Sequence, residues 1–263
     1  MLDPALETHW LGKKWHFFEE VDSTNGWLIL HQIELAHGAV ATADYQTAGK
    51  GRQGRTWVTP RGTAVAVSIL LKPNWPAARA TWLTMMAGVA AVNAIRQHTA
   101  VPVALKWPND VIVPAEGGGW RKLGGILLEG NVLAERLETA VLGLGLNVNV
   151  PPADLPLVTP PATSLLVESG VVVARRPLLH TFLQELEQLY EAAEAGHSPH
   201  PAWRALLHTL GQQVIIRTAA GELVAQGLAE DVSSEGQLLV RDDDGRLHPI
   251  PAGDVSVRSK GGE

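Results

Sequence analysis

The sequence predicts an α+β fold: a mixed central sheet flanked by helices, followed by a small antiparallel β-barrel at the C-terminal end. Three observations predict it. Short apolar runs alternate with turn residues between Ala39 and Leu144, as strands of one sheet do. Two longer stretches, Thr81–Gln97 and Pro177–Ala195, repeat their apolar residues at helical spacing. After Gly211 the composition shifts to short β-like runs joined by glycine-containing turns.

In chain order, Val21-Asp22-Ser23-Thr24-Asn25 precedes the apolar Trp27–Leu30, which reads as a strand end feeding a capped helix. Ala39–Ala43 is a buried strand, Gly49–Arg55 a basic glycine loop, and Ala64–Leu71 a strong strand. Trp82, Met85, Met86, Val89, Val92 and Ile95 give the first long helix its apolar face. Val103–Lys106, Val111–Val113, Gly125–Leu128 and Thr139–Leu144 are short strands. The second long helix carries Leu178, Leu179, Phe182, Leu186 and Leu189 on one side, and a short helix follows over Ala202–Leu210. Val214–Arg217, Leu223–Leu228, Leu238–Arg241, Leu247–Ile250 and Val255–Val257 are the strands of the small barrel. The domain boundary is placed near Leu210, giving units 1–210 and 211–263. The proline-rich stretch Pro151–Pro161 is a loop within the first, because neither flank would make a complete core alone.

Composition narrows the function. A length of 263 residues suffices for one large domain and a small appendage. A formal net charge of -6 argues against bulk nucleic-acid binding and against an anionic membrane surface. Without cysteine, disulfides and thiolate metal sites are excluded. No signal peptide and no bilayer-spanning apolar run is visible, so a cytoplasmic enzyme is expected.

The most informative segment is Gly49-Lys50-Gly51-Arg52-Gln53-Gly54-Arg55, with three cations among three glycines. Glycine lets backbone N–H groups approach a ligand, and arginine adds a fork matched to carboxylate and phosphate oxygens. The segment reads as an anion cradle or as a solvated surface turn. Gly49, Gly51 and Gly54 match the dinucleotide-binding glycine spacing, but Trp57–Leu71 reads as a turn and a strand, and Ile69–Lys72 offers no carboxylate. A phosphate-binding P-loop is absent, since glycine-lysine is nowhere followed by serine or threonine. Lys106-Trp107-Pro108-Asn109-Asp110 is either a structural turn or a strand-end carboxylate able to hold Mg²⁺. Lys122 stands at the mouth of the apolar strand Gly124-Gly125-Ile126-Leu127-Leu128. Gly143 and Gly145 interrupt a buried strand, which marks close approach of a ligand or simply tight packing.

The order and spacing of these segments is more specific than any one of them. Thr47–Trp57, Lys106–Asp110, Lys122–Leu127 and Gly143–Asn147, preceded by Val21–Asn25, closely resemble the motifs of the biotin protein ligase family. The resemblance covers nearly the whole chain, to Ala252-Gly253-Asp254-Val255-Ser256. It implies a class II synthetase-like catalytic domain with an SH3-like barrel. Lys50 departs from the pattern, since many members carry arginine there; the charge stays but the fork is lost. Some members begin with a winged helix-turn-helix domain. Here the first motif starts at Ser23, so a form without DNA-binding activity is expected.

The resemblance also implies chemistry: biotin and ATP form biotinyl-adenylate, and an acceptor lysine then takes the biotinyl group. Arg52, Lys122 and Asp110 are the expected catalytic residues. Arg52 and Lys122 would neutralise the biotin carboxylate and the α-phosphate, assisted by Lys50 and the amides at Gly51. Ser23, Thr24, Asn25 and Gln46 would meet the ureido ring, over a floor of Gly124, Gly125 and the Gly143–Gly145 strand. Arg55, Trp57, Asn109 and Asn147 would contact the nucleotide, Trp57 by stacking on adenine, and Asp110 would hold Mg²⁺ or orient ATP. The basic loop would act as a lid. The implied partners are the biotin carboxyl carrier protein of acetyl-CoA carboxylase and a second copy of the chain. A lipoate-type ligase and a biotin-sensing regulator without ligase activity are the competing readings.

Overall fold

The computed structural model describes residues 6–115, 119–158, 160–218, 220–252 and 255–259. The Gly253-Asp254 part of the last motif lies outside the described residues. Strand β1 (Trp15–Phe18) leads into helix α1 (Thr24–His31), whose first turn is capped by the Ser23 hydroxyl accepting from the Gly26 amide. Strands β2 (Ala39–Ala43), β3 (Ala64–Leu71) and the short β4 (Trp75–Pro76) follow, then helix α2 (Ala80–His98). Next come β5 (Ala104–Lys106), β6 (Asp110–Pro114), β7 (Trp120–Leu133) and β8 (Arg136–Asn147). Helices α3 (Leu165–Ser169), α4 (Arg175–Glu194) and α5 (His200–Ala205) complete this part.

The central sheet runs β1-β2-β3-β8-β7-β6-β5, with β4 added beside β8. Only the β1–β2 pair is parallel, so the sheet is mixed. Both faces are covered near β2 and β3, which explains why those strands read as unbroken apolar runs. Side chains alternate between two cores. Val40, Ile69 and Leu142 join the large core under α2 and α4, while Ala39, Leu70 and Val141 pack with Leu28 of α1 in a smaller one. Helix α1 covers only part of its face. Beyond its N-terminus the same face continues as Ala66 and Ser68 of β3, Gly143 and Gly145 of β8, and Gly125 and Leu127 of β7. Small residues there leave a depression, and that depression is the floor of the site.

Several elements differ from the sequence reading. The predicted strands Gly125–Leu128 and Thr139–Leu144 are the inner halves of one long hairpin, turned at Ala134 and Glu135, both with left-handed φ. Apart from the buried Leu137 its outer half is largely exposed, so no apolar alternation marked it. The predicted helix Ala202–Leu210 stops at Ala205, because Leu206 and His208 bond instead to both backbone groups of Leu105 on the edge strand. Pro151–Pro161 is a loop against the main sheet, as expected: Pro161 and Thr163 bracket Lys122 through backbone bonds.

Strands β9 (Gln213–Thr218), β10 (Leu223–Val232), β11 (Leu238–Arg241), β12 (Leu247–Ile250) and β13 (Val255–Ser259) form a separate antiparallel sheet in the order β12-β11-β10-β9-β13. It is joined to the main body by Trp107. That indole is fully buried, its N–H donates to the Gly236 carbonyl at 2.9 Å, and its amide donates to the Thr209 hydroxyl at 2.9 Å.

Candidate active site

A cavity of about 640 Å³ opens over the small-residue floor. Its first wall is the N-terminus of α1. Capping holds Ser23, Thr24 and Asn25 at that wall, and all three are buried. Gln46 accepts the Thr24 amide at 2.8 Å and the Thr24 hydroxyl at 3.1 Å. Asn25 packs on Gly143 so closely that a Cβ there would lie 2.3 Å from its Oδ1. Gly145 is covered by Trp57, with a would-be Cβ 2.7 Å from the indole ring. Both glycines of β8 therefore mark close approach by side chains that line the cavity.

The second wall is the basic loop. Gly49 and Trp57 close its base, with the Trp57 amide donating to the Gly49 carbonyl at 2.8 Å; a Cβ on Gly49 would stand 2.4 Å from the Trp57 carbonyl. The loop then turns at Gln53 and Gly54, both in the left-handed region. Gly51 donates to the Arg55 carbonyl at 2.7 Å. Arg52 reaches out of the loop to the Asn109 Oδ1 at 3.0 Å and the Ala252 carbonyl at 2.9 Å. Arg55 stays exposed, 3.3 Å from the Gln53 Oε1. Lys50, Gly51, Arg52 and Arg55 all line the cavity.

The third wall carries charge from the end of β5 to β7. Lys122 Nζ lies 2.5 Å from one Asp110 oxygen, and Lys106 Nζ lies 3.8 Å from the other. Lys106 is also 4.9 Å from the centroid of the Trp120 ring. Burial pushes the Lys106 ammonium below its ordinary pKa; Asp110 opposes that, and Lys122, Arg55 and Arg52 reinforce it. Gly125 lies directly beneath the pair; a Cβ there would make ordinary contact with it, 3.5 Å from Lys122 Nζ. A single carboxylate between two ammonium groups leaves a net positive wall, suited to an incoming carboxylate and phosphate.

The structure thus brings nearly every expected residue to one cavity. Asn109 and Asn147 line it too, with one N–H of the Asn147 side-chain amide donating to the Thr163 carbonyl at 2.9 Å. Gly124 is the exception. It is not among the lining residues; a Cβ there would meet the Gly145 carbonyl at 2.5 Å, so it serves the approach of β7 to β8. Sequence reasoning missed Lys106, Trp120, Ser68 and Glu129. Lys106 stood inside a motif already singled out, and Ser68 is the one polar residue of β3.

Among the described residues, no protein cage for a metal surrounds Asp110. The one group of three convergent histidine and acidic side chains among them is His9, Glu187 and Glu191, none of which lines the cavity. The Glu187 carboxylate there is occupied by the amides of His9, Trp10 and Leu11. The donor set at Asp110 fits an ion delivered on substrate phosphates and not a resident one.

Comparison with known proteins places this geometry. Residues 17–147 match the profile described as the biotin/lipoate A/B protein ligase family, and residues 209–258 match the biotin protein ligase C-terminal domain. The chain is 35% identical over 243 residues to a biotin–[acetyl-CoA-carboxylase] ligase from Mycobacterium tuberculosis, covering 90% of this chain and 86% of that one. A ligase of the same name from Paracoccus denitrificans is 33% identical, with 89% and 96% covered. The biotin protein ligase from Aquifex aeolicus, solved with biotin and ATP, superimposes with a TM-score of 0.75 at 26% identity, over 94% of this chain and all of that one. With the motif residues gathered in one cavity of matching fold, the chain belongs to the biotin protein ligase family.

Proposed function

We propose that the protein attaches biotin to one lysine of a biotin carboxyl carrier protein, at the expense of ATP and through biotinyl-adenylate. The observation that carries this reading is the polarity of the cavity. A lining of short hydrogen-bonding side chains at α1 suits a ureido ring, and a cationic wall at Lys106, Lys122 and Arg52 suits the carboxylate and triphosphate. In the first step a biotin carboxylate oxygen bonds to the α-phosphorus while the bond to pyrophosphate breaks. Lys122, beside Asp110, neutralises the oxygens that approach, and Arg52 closes over them. In the second step the acceptor amine attacks the acyl carbon, AMP leaves, and the amine proton passes to solvent. Asp110 would hold a Mg²⁺ ion brought by ATP, and the ion would screen the phosphate charge. Trp57, which rests one face on Gly145, keeps its other face for adenine. Its buried indole N–H has no partner among the described residues, which fits a donor waiting for a ligand oxygen.

The same reading organises the rest. Residues 1–210 form the catalytic part, and the strands of 211–263 close as an SH3-like barrel. The working assembly is a homodimer, in the cytoplasm; no helix of the described residues is long and apolar enough to cross a membrane. A lipoate-type activity is disfavoured by the polar α1 wall, which a dithiolane would leave unsatisfied. Incubation with labelled biotin, ATP, Mg²⁺ and a biotin carboxyl carrier domain should transfer label to one lysine and release pyrophosphate. Label that follows lipoate instead, or pyrophosphate that does not depend on biotin, would defeat the reading.

A further inference from the structure

Lys106 is a buried cation with little to hold it. The residue is 8% exposed, and among the described residues no hydrogen bond reaches its ammonium. One Asp110 oxygen is taken by Lys122 at 2.5 Å; the other stands 3.8 Å from Lys106 Nζ, beyond hydrogen-bond reach. A free lysine arm would close that gap, since a charged hydrogen bond in a dry pocket is stronger than a distant ion pair. What lies against the ammonium instead is the face of Trp120, with the ring centroid 4.9 Å away. The sheet register explains the contact. Lys106 pairs with Asp110, and Asp110, Ile112 and Pro114 pair in turn with Gly125, Lys122 and Trp120. Strand alternation therefore sets Lys106, Asp110, Lys122 and Trp120 on one face, and all four line the cavity. Arg121, between Lys122 and Trp120, points the other way to Glu168 of α3, which accepts its guanidinium at 2.7 and 2.8 Å. The stretch of β7 that carries the indole is thus anchored from behind.

We propose that Trp120 is a positioning residue for Lys106: its ring face holds the ammonium off Asp110 and turned into the cavity, where the nucleotide phosphates arrive. The inference rests on the reading of the cavity as a nucleotide site. Without the ring, one carboxylate would draw in both lysines, and the wall would meet phosphate with less free charge. A cation on a ring face spends none of the N–H groups that point away from the ring, and those are what a phosphate oxygen needs. The second Asp110 oxygen is kept clear by the same contact. A leucine in place of Trp120 would fill space but would leave Lys106 only Asp110 to turn to.

The test replaces Trp120 alone, in the full chain, by tryptophans carrying successively more ring fluorines. Each fluorine draws negative charge from the ring face and scarcely changes the ring's size. Calorimetry with α,β-methylene ATP and Mg²⁺ at saturating biotin reads the nucleotide site without turnover. Affinity should fall step by step with each fluorine, by roughly tenfold over the whole series, while the affinity for biotin alone stays within about twofold. Trp120→Leu should match the most fluorinated ring, and Trp120→Phe, which keeps an aromatic face, should lose less. In the Lys106→Met background the fluorine series should be flat, because no cation is left over the ring. Thermal melting confirms that each variant is folded. A packing role for Trp120 would give no gradient with fluorine. A flat series with Lys106 present overturns the proposal, and so does a gradient that persists in Lys106→Met, as direct stacking on the nucleobase would give. A graded series in a protein that releases no biotin-dependent pyrophosphate would uphold the role of Trp120 and overturn the biotin reading. A wild type that binds no nucleotide overturns both.

Discussion

Gly145→Ala separates the role of Trp57 from the stability of the sheet. The new Cβ would meet three indole atoms at 2.7, 3.0 and 3.0 Å. Ordinary carbon contacts lie at ~3.5–4.0 Å, so the nearest ring atom must retreat by roughly 0.8–1.3 Å. Trp57 is half-buried at the base of a loop, and it gives way more readily than β8 does. Overpacking costs about 1–3 kcal/mol where nothing yields, so less than ~1 kcal/mol is expected here. The melting temperature should fall by no more than about 3 °C. Activity should suffer far more, because a displacement near 1 Å at a binding group is worth up to ~100-fold. The assay is pyrophosphate release at saturating biotin with ATP varied, and kcat/KM for ATP should drop by about tenfold or more. The loss should vanish when Trp57 is already alanine, since the substitution then meets nothing. A Gly145→Ala enzyme within twofold of wild type, or one equally impaired in the Trp57→Ala background, would refute the placement of Trp57 against the nucleotide.

Lys122→Ala removes the ammonium 2.5 Å from Asp110; charged hydrogen bonds are worth about 1.5–3 kcal/mol, so biotin-dependent pyrophosphate release should slow by roughly 10–150-fold. Arg52→Gly cuts the ties to Asn109 and Ala252 and should let the adenylate escape, giving poorer biotin retention and stray biotinylation of serum albumin on a streptavidin blot; a variant that makes adenylate yet labels albumin no more than wild type would exclude Arg52 as its keeper. Glu168 ties α3 to β7. Burial opposes its ionisation, but hydrogen bonds from Arg121 and Thr163 outweigh this and hold its pKa below the ordinary value. A depressed carboxylate contributes stability above its unfolded pKa and loses it as pH falls through the folded one. Glu168→Gln should therefore melt lower than wild type at neutral pH, with the gap closing below about pH 4.

The site was legible in the sequence to the extent that it is built from glycine and charge. Gly143 and Gly145 stood out because nothing else in a buried strand costs so much for so little side chain, and the structure sets Asn25 and Trp57 against them. Lys50, Arg52 and Arg55 stood out as cations packed among glycines. Glu129 did not, because an acidic residue where an apolar strand emerges into solvent is ordinary; its meaning comes from Asn25, 104 positions away in sequence. Gly124 was misplaced for a related reason. It adjoins Gly125, and only the register with β8 shows that the two glycines face opposite ways. The long hairpin was half visible because its outer strands, apart from the buried Leu137, gain their backbone bonds with little burial. The helix after His200 was overdrawn because its pairing with Leu105 is nonlocal.

Trp107 gives the C-terminal strands a part in a reaction they scarcely touch. The residue is a peg: Lys106 precedes it and Asp110 comes after it within the same turn, while its buried indole is tied to the Gly236 carbonyl and its amide to the Thr209 hydroxyl. A chain ended at Leu210 would keep most residues that line the cavity, yet the indole would lose its carbonyl acceptor and stand partly in water. The turn would then relax, and the spacing of Lys106, Asp110 and Lys122 with it. The terminal sheet is in this sense a tensioner for the cationic wall, and its removal should be felt as a loss of rate before it is felt as a loss of binding residues.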